Sequence, residues 1–109
     1  PDMLIYYRGE TRTIRAVLRG DDGAPLADAT GVTGELRLRL PDRCHVIAGE
    51  IEAVTVTDGP GVALAVRLTP DTMADVPERA AAYPGSLWLQ SAGSWQRAGA
   101  LAIRVEGGC

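Results

Sequence analysis

The chain has one histidine, His45, and it directly follows one of the two cysteines, Cys44. A thiol activated by an imidazole is the chemistry those residue types suggest, and any Ser-His-Asp or Cys-His site must be built around His45. The spacing argues against it. Adjacent side chains of an extended chain point to opposite sides, so sequence adjacency separates this thiol from this ring. The segment Pro41-Asp-Arg-Cys-His45 reads first as a polar loop between strands. One histidine with two distant cysteines does not make a structural metal site, and Cys44 and Cys109 have no C-x-x-C spacing. A Cys44–Cys109 bridge is compatible with the sequence, two reduced thiols being the simpler expectation. The carboxylates are scattered over turns and outer faces, and no glycine-rich loop joins a strand to a helix as a phosphate site requires. The expectation is a non-enzymatic protein with no catalytic, metal or cofactor site.

Arginine carries the remaining chemistry. All 11 basic residues are arginine, set against 14 acids for a formal charge of -3. That balance gives no broad electrostatic reason to bind nucleic acid or an anionic membrane. Arg37 and Arg39 alternate outward along one apolar run, and Arg15 and Arg19 along another. If those strands are neighbours, the four guanidinium groups form a patch. It either pairs with Glu35, Glu50 and Glu52 on a solvated face or meets an acidic partner surface, where arginine is favoured. The tripeptide Arg19-Gly20-Asp21 reads as turn chemistry in preference to an adhesion motif. Aromatics are scarce: two tryptophans, three tyrosines and no phenylalanine. Leu87 and Leu89 share a face, which puts Trp88 on the other, so one of Trp88 and Trp95 is expected in the core and one at an interface. Tyr6 and Tyr7 must face opposite ways. Tyr6, Arg15, Arg37, Arg39 and Trp88 are the candidate partner-binding residues.

Positioning these groups falls to strands. Val32, Leu36, Leu38 and Leu40 share a face against Thr33, Glu35, Arg37 and Arg39, a period of two. Thr11–Arg19 repeats the pattern with Ile14, Ala16 and Leu18 inward, and Val62–Leu68 with Val62, Leu64, Val66 and Leu68 inward. Ala53–Thr57 pairs with the latter across Asp58-Gly-Pro-Gly61, whose glycines are expected to supply positive φ. Ser86–Gln90 and Trp95–Ala100 form a second hairpin across Ser91-Ala-Gly-Ser94. Met3–Tyr7, Val46–Ile51 and Leu101–Val105 complete the set, and Gly20–Gly31 is a turn-rich loop. Thr69-Pro70-Asp71-Thr72 has the hydroxyl, proline and acid of a helix start, so a short helical turn is expected near 70–82. With 109 residues, 46% of them hydrophobic, the reading is a single domain over 1–109. It is all-β, an immunoglobulin-like antiparallel β-sandwich of seven or eight strands. No secretory leader or membrane-spanning run is visible.

Several segments, in order, resemble those of a known architecture. They are Arg8-Gly9-Glu10-Thr11 before a strand and Gly23-Ala-Pro-Leu26 leading to Gly31-Val-Thr-Gly-Glu-Leu-Arg-Leu38. Val66-Arg-Leu-Thr-Pro-Asp-Thr72 and Tyr83-Pro-Gly85 come next, before a last strand ending near Val105. In this the chain resembles the small β-sandwich domain of tailed-phage structural proteins, notably the N-terminal domain of siphophage upper-baseplate proteins. The resemblance implies a structural protein of the virion, assembled in the host cytoplasm, with no catalytic motif to carry over. That family continues into an attachment region where this sequence stops at Cys109. The expectation is therefore a capsid decoration or cement protein bound to the major capsid protein or another virion protein. A tail, baseplate or head–tail accessory is the alternative, and a soluble sugar- or surface-binding module the reading from another class. Edge strands also leave room for self-association.

Overall fold

The computed structural model describes residues 2–57 and 59–107. Seven strands follow one another: β1 (Asp2–Tyr7), β2 (Arg12–Val17), β3 (Thr33–Arg39), β4 (Cys44–Val56), β5 (Gly59–Leu68), β6 (Tyr83–Ser91) and β7 (Ser94–Glu106). Among the described residues there is no helix, so the fold is all-β. The strands join in the order β1-β7-β6-β3-β4-β5-β2. Its two ends, β1 and β2, approach each other and nearly close a barrel. Arg12 spans the gap by donating from Nη1 to the Ile5 carbonyl at 3.0 Å.

Two features differ from the sequence reading. The sheet is mixed, because β1 lies parallel to β7 while the other pairings are antiparallel. Parallel neighbours need a long connection, and here nearly the whole chain supplies it. The strand count settles at seven because two pairs of expected short strands are continuous. Val46–Ile51 and Ala53–Thr57 are both parts of β4, and Trp95–Ala100 runs on through Leu101–Val105 as β7, each strand 13 residues long. At about 3.3 Å per residue, either one reaches the length of the molecule's 41 Å long axis.

β4 can be long because it changes partners midway. Cys44–Ala48 pairs with β3, and Gly49–Val56 pairs with β5. One step beyond the last β3–β4 pair, Gly34 faces Gly49, and Leu64 of β5 lies over both. A methyl group at Gly34 would sit 2.6 Å from Leu64 Cδ1, and one at Gly49 would sit 2.7 Å from the same atom. The two glycines are thus where the sheet folds onto itself.

The inward faces match the alternation. Leu36, Leu38 and Leu40, Val62, Leu64, Val66 and Leu68, and Leu18 are all buried. Ile14 and Ala16 are partly buried and pack against that cluster. Tyr6 is also buried, at 0% exposure, as is Tyr83 on β6. This corrects the expectation of Tyr6 as an outward anchor: β1 is pinned on β7 with Tyr6 opposite the buried Val105, so the exposed ring of the pair is Tyr7. The Tyr6 hydroxyl donates to the Glu10 carbonyl at 2.7 Å. Its pKa lies above the usual 10, through desolvation first and the Glu10 charge second, against a smaller lowering by Arg8. Burial favours the neutral phenol, so the unfolded chain ionises first, and this contribution to stability is full below pH 10 and is lost as the pH rises through the folded-state pKa. Tyr6→Phe should therefore flatten the decline of stability in denaturant titrations carried from pH 9 to 11.5. An unchanged slope would show that Tyr6 does not cause it.

Turns account for most of the remaining chain. Ala92 (φ 51°) and Gly93 (φ 82°) close the β6–β7 hairpin as expected. The β4–β5 turn falls earlier than its glycines suggested. Val56 pairs with Gly59, Thr57 takes the positive φ of 45°, and Gly59 and Gly61 lie within β5; Asp58 lies outside the described residues. The helix start at Thr69 is half realised. Thr69 Oγ1 accepts from the Thr72 amide at 3.1 Å, Thr72 Oγ1 accepts from the Thr69 amide at 2.8 Å, and Met73 bonds back to the Thr69 carbonyl. That one bond is not propagated into a helix, and residues 70–75 form hydrogen-bonded turns. Pro77 disfavours helical geometry at Val76, leaving too few residues to offset the cost of nucleation. Met73 and Val76 are completely buried there, and Arg8 holds the segment by donating to the Val76 carbonyl at 2.9 Å.

Candidate functional site

The outer face of β4-β3-β6-β7 is where the unusual side chains gather. On β3, Glu35, Arg37 and Arg39 point outward, opposite Trp88, Ser86 and Pro84 of β6 or its register continued by one step. Arg37 is fixed on three sides. Its Nε donates to Glu35 Oε2 at 2.6 Å, and its guanidinium lies 4.4 Å from the Trp88 ring centroid and 4.8 Å from that of Trp95. Each exposed cation–π contact contributes about 0.5–1 kcal/mol, so the two together rival the ion pair. Trp88 is held in turn by its indole N–H, which donates to Ser86 Oγ at 2.8 Å.

Trp95 and Arg97 reach this face through an irregularity in β7. Leu87 pairs with Gly99 but Trp88 pairs with Arg97, leaving Ala98 as an extra residue in a β-bulge. Ile103 and Val105 point inward, and strict alternation would carry Gly99, Arg97 and Trp95 inward too. The bulge reverses parity after Gly99 and sends Arg97 and Trp95 outward. Neither tryptophan enters the core: Trp88 is half-buried and Trp95 is 40% exposed, which corrects the expectation of one core indole.

Beside Arg37 lies an open hollow of about 590 Å³ whose walls include Arg37, Arg39, Arg43, Arg97, Trp88 and Pro84. No carboxylate lines it. Arg43 lies 3.5 Å from Asp42, whereas neither Arg39 nor Arg97 has a carboxylate within 4.0 Å among the described residues. In a chain of net charge -3, this is a local reversal of sign.

Of the five residues named from sequence, the structure brings together Arg37, Arg39 and Trp88. Arg15 is elsewhere. It sits on β2, three strands away from β3 in the sheet order, and is ion-paired with Glu52. The four-arginine patch of Arg15, Arg19, Arg37 and Arg39 therefore does not form; Arg19 instead donates to the Gly23 carbonyl at 3.0 Å within its own loop. Arg97, Trp95 and Arg43 take the vacated roles.

Cys44 and His45 diverge as extended chain requires. Cys44 opens onto the arginine hollow, while His45 Nε2 lies 2.7 Å from the Thr72 carbonyl, an acceptor to which the ring must donate. Cys109 lies outside the described residues, and so does any bridge to it. Among the described residues, no three His, Cys, Asp or Glu side chains group as metal ligands, and no helix is long and apolar enough to cross a membrane. Compared with known proteins, the chain matches no protein-family model and no curated sequence.

Proposed function

We propose that this chain is a non-enzymatic structural protein of a tailed-phage virion, a capsid decoration or cement protein seated on the outer shell by its Arg37 face. The observation that carries the docking role is the guanidinium of Arg37 held between Trp88 and Trp95, with Arg39 and Arg97 flanking it. Aromatic and arginine side chains so placed, already ordered, lose little entropy on binding and are the residue types that dominate hot spots. The virion setting rests on the likeness of the Arg8–Thr11, Gly23–Leu26, Gly31–Leu38, Val66–Thr72 and Tyr83–Gly85 segments to upper-baseplate domains. An immunoglobulin-like layering is favoured by the passage of β4 from β3 to β5, the kind of partner change by which a strand is shared between two layers. A non-enzymatic role is favoured by the use of the one histidine as a tie to Thr72. The partner is the major capsid protein, and many weak copies on a lattice add up to a large stabilisation of the shell.

Immunogold electron microscopy of tailed-phage particles from the source culture, with antibody to this domain, tests the assignment. Gold over the heads is the expected result. Gold confined to the tail moves the protein to the tail machinery, and bare particles overturn the virion reading. Docking is tested by Arg37→Ala, Arg39→Ala and Trp88→Ala combined. Particle binding should be lost with the melting transition shifted by only a few degrees; undiminished binding removes this face from the interface.

A further inference from the structure

The walls of the hollow specify its occupant more closely. We infer that it takes an extended acidic segment of the partner, with carboxylates spaced at alternate residues and apolar side chains between. The inference rests on the reading of the Arg37 face as the docking face and names the chemistry that face selects. Charge complementarity is the argument. Four guanidinium groups and no carboxylate surround the hollow, and Arg39 and Arg97 lack acidic partners within 4.0 Å among the described residues. Arg37 is already bound to Glu35 and wedged between indoles, so it lends charge and shape while Arg39 and Arg97 are left to pair with the ligand.

The sheet sets the dimensions. Arg97 stands opposite Trp88, and Arg39 is level with Pro84 two strands over. A rise of about 3.3 Å per residue and a strand spacing of about 4.8 Å put their Cα atoms roughly 16 Å apart. The first and last acids of an extended Glu-x-Glu-x-Glu segment are about 13 Å apart, and the flexible arginine stems cover the remainder. A guanidinium fork receives a carboxylate by two parallel hydrogen bonds. Between the charged ends, Pro84 and the edge of Trp88 offer apolar surface to the intervening side chains. A single small anion would leave most of the 590 Å³ unfilled. Nucleic acid would call for bases stacked on aromatic rings, whereas Trp88 and Trp95 each already carry Arg37 against the ring.

The test uses the full chain and its own two tryptophans as reporters. An acetylated Glu-Leu-Glu-Leu-Glu peptide should perturb their fluorescence and bind at least about tenfold more tightly than its Gln-Leu-Gln-Leu-Gln counterpart, as charged over neutral hydrogen bonds predict. Arg39→Gln with Arg97→Gln should weaken that binding about tenfold at an unchanged melting temperature, because both side chains are exposed. Arg15→Gln, on β2 three strands away from β3, should leave it unaltered. Equal binding of the two peptides, an equal loss in Arg15→Gln, or tighter binding of a single-stranded oligonucleotide or of tripolyphosphate would each overturn the inference. Bare particles in the gold experiment with selective peptide binding would remove the virion setting and leave the hollow's ligand standing. Gold on the heads without selective peptide binding would do the reverse.

Discussion

Gly49→Val should lower the stability of this domain by about 3 kcal/mol, the upper part of the range for overpacking a filled core. The reason is local. A Cβ at residue 49 would lie 2.7 Å from Leu64 Cδ1, 3.1 Å from the Ala65 carbonyl oxygen and 3.1 Å from Val66 Cγ2. The leucine end can swing, but the carbonyl belongs to the β4–β5 ladder and cannot move without breaking it. Leu64→Ala alone should cost about 2–5 kcal/mol, since the side chain is 1% exposed and fills the fold between β3, β4 and β5. The two changes should not add. With Leu64 shortened, valine at 49 occupies part of the space the leucine leaves, and the coupling should recover about 1–2 kcal/mol, within the range seen for contacting residues. Urea unfolding of the wild type, both single variants and the double variant measures it. Strict additivity would mean that Leu64 does not cross Gly49, and the account of where the sheet folds over would be wrong.

That crossing also marks where the sequence stops being legible. Alternation in β3 and β5 located the buried side chains of those two strands apart from Ala63, because Leu36, Leu38, Val66 and Leu68 obey a period of two without interruption. Reading Val46–Ile51 and Ala53–Thr57 as separate strands missed the continuity of β4, in which Gly49 admits Leu64. The helix signal at Thr69 was real at the level of hydrogen bonds, but propagation needs several more helix-compatible residues, and Pro77 cuts the run short. Neighbourhood is the harder matter. Arg15 and Arg37 carry identical local patterns, yet which strands lie side by side is set by tertiary pairing, and β2 and β3 end up apart. Tyr6 and Tyr7 were separable by parity only up to a choice of face, which the pairing of β1 on β7 makes.

The tail of the chain did hold a clue to the site. Trp95, Arg97, Leu101, Ile103 and Val105 share one parity, and an arginine among inward positions signals a break in register. Dividing the segment into two strands concealed that conflict. Taken as one 13-residue strand, it demands an extra residue somewhere between Arg97 and Leu101, although the position of that residue depends on β6.

The bulge makes two single-residue deletions behave very differently. Removing Ser86 from β6, which is paired on both edges, should unfold the domain. Everything on one side of the cut changes face, so Leu87 and Leu89 exchange places with Trp88 and Gln90, and no flanking irregularity can absorb the slip. The loss approaches the whole stability of a domain this size, about 5–15 kcal/mol. Removing Ala98 from β7 should cost no more than about 1 kcal/mol, the scale of a typical point change. Arg97 then comes directly before Gly99 in regular alternation, still opposite Trp88, and Trp95 remains beside Arg37. Circular dichroism, thermal melting and the tryptophan emission of the two variants decide the point. If the Ala98 deletion were as damaging as that of Ser86, Ala98 would be an ordinary rung of the ladder. Trp95 and Arg97 would then owe their outward position to something other than the bulge. If instead it melts near the wild type and keeps its tryptophan spectrum, the extra residue is dispensable for the fold. Its role is then to bend β7 where Arg97 joins the arginine hollow.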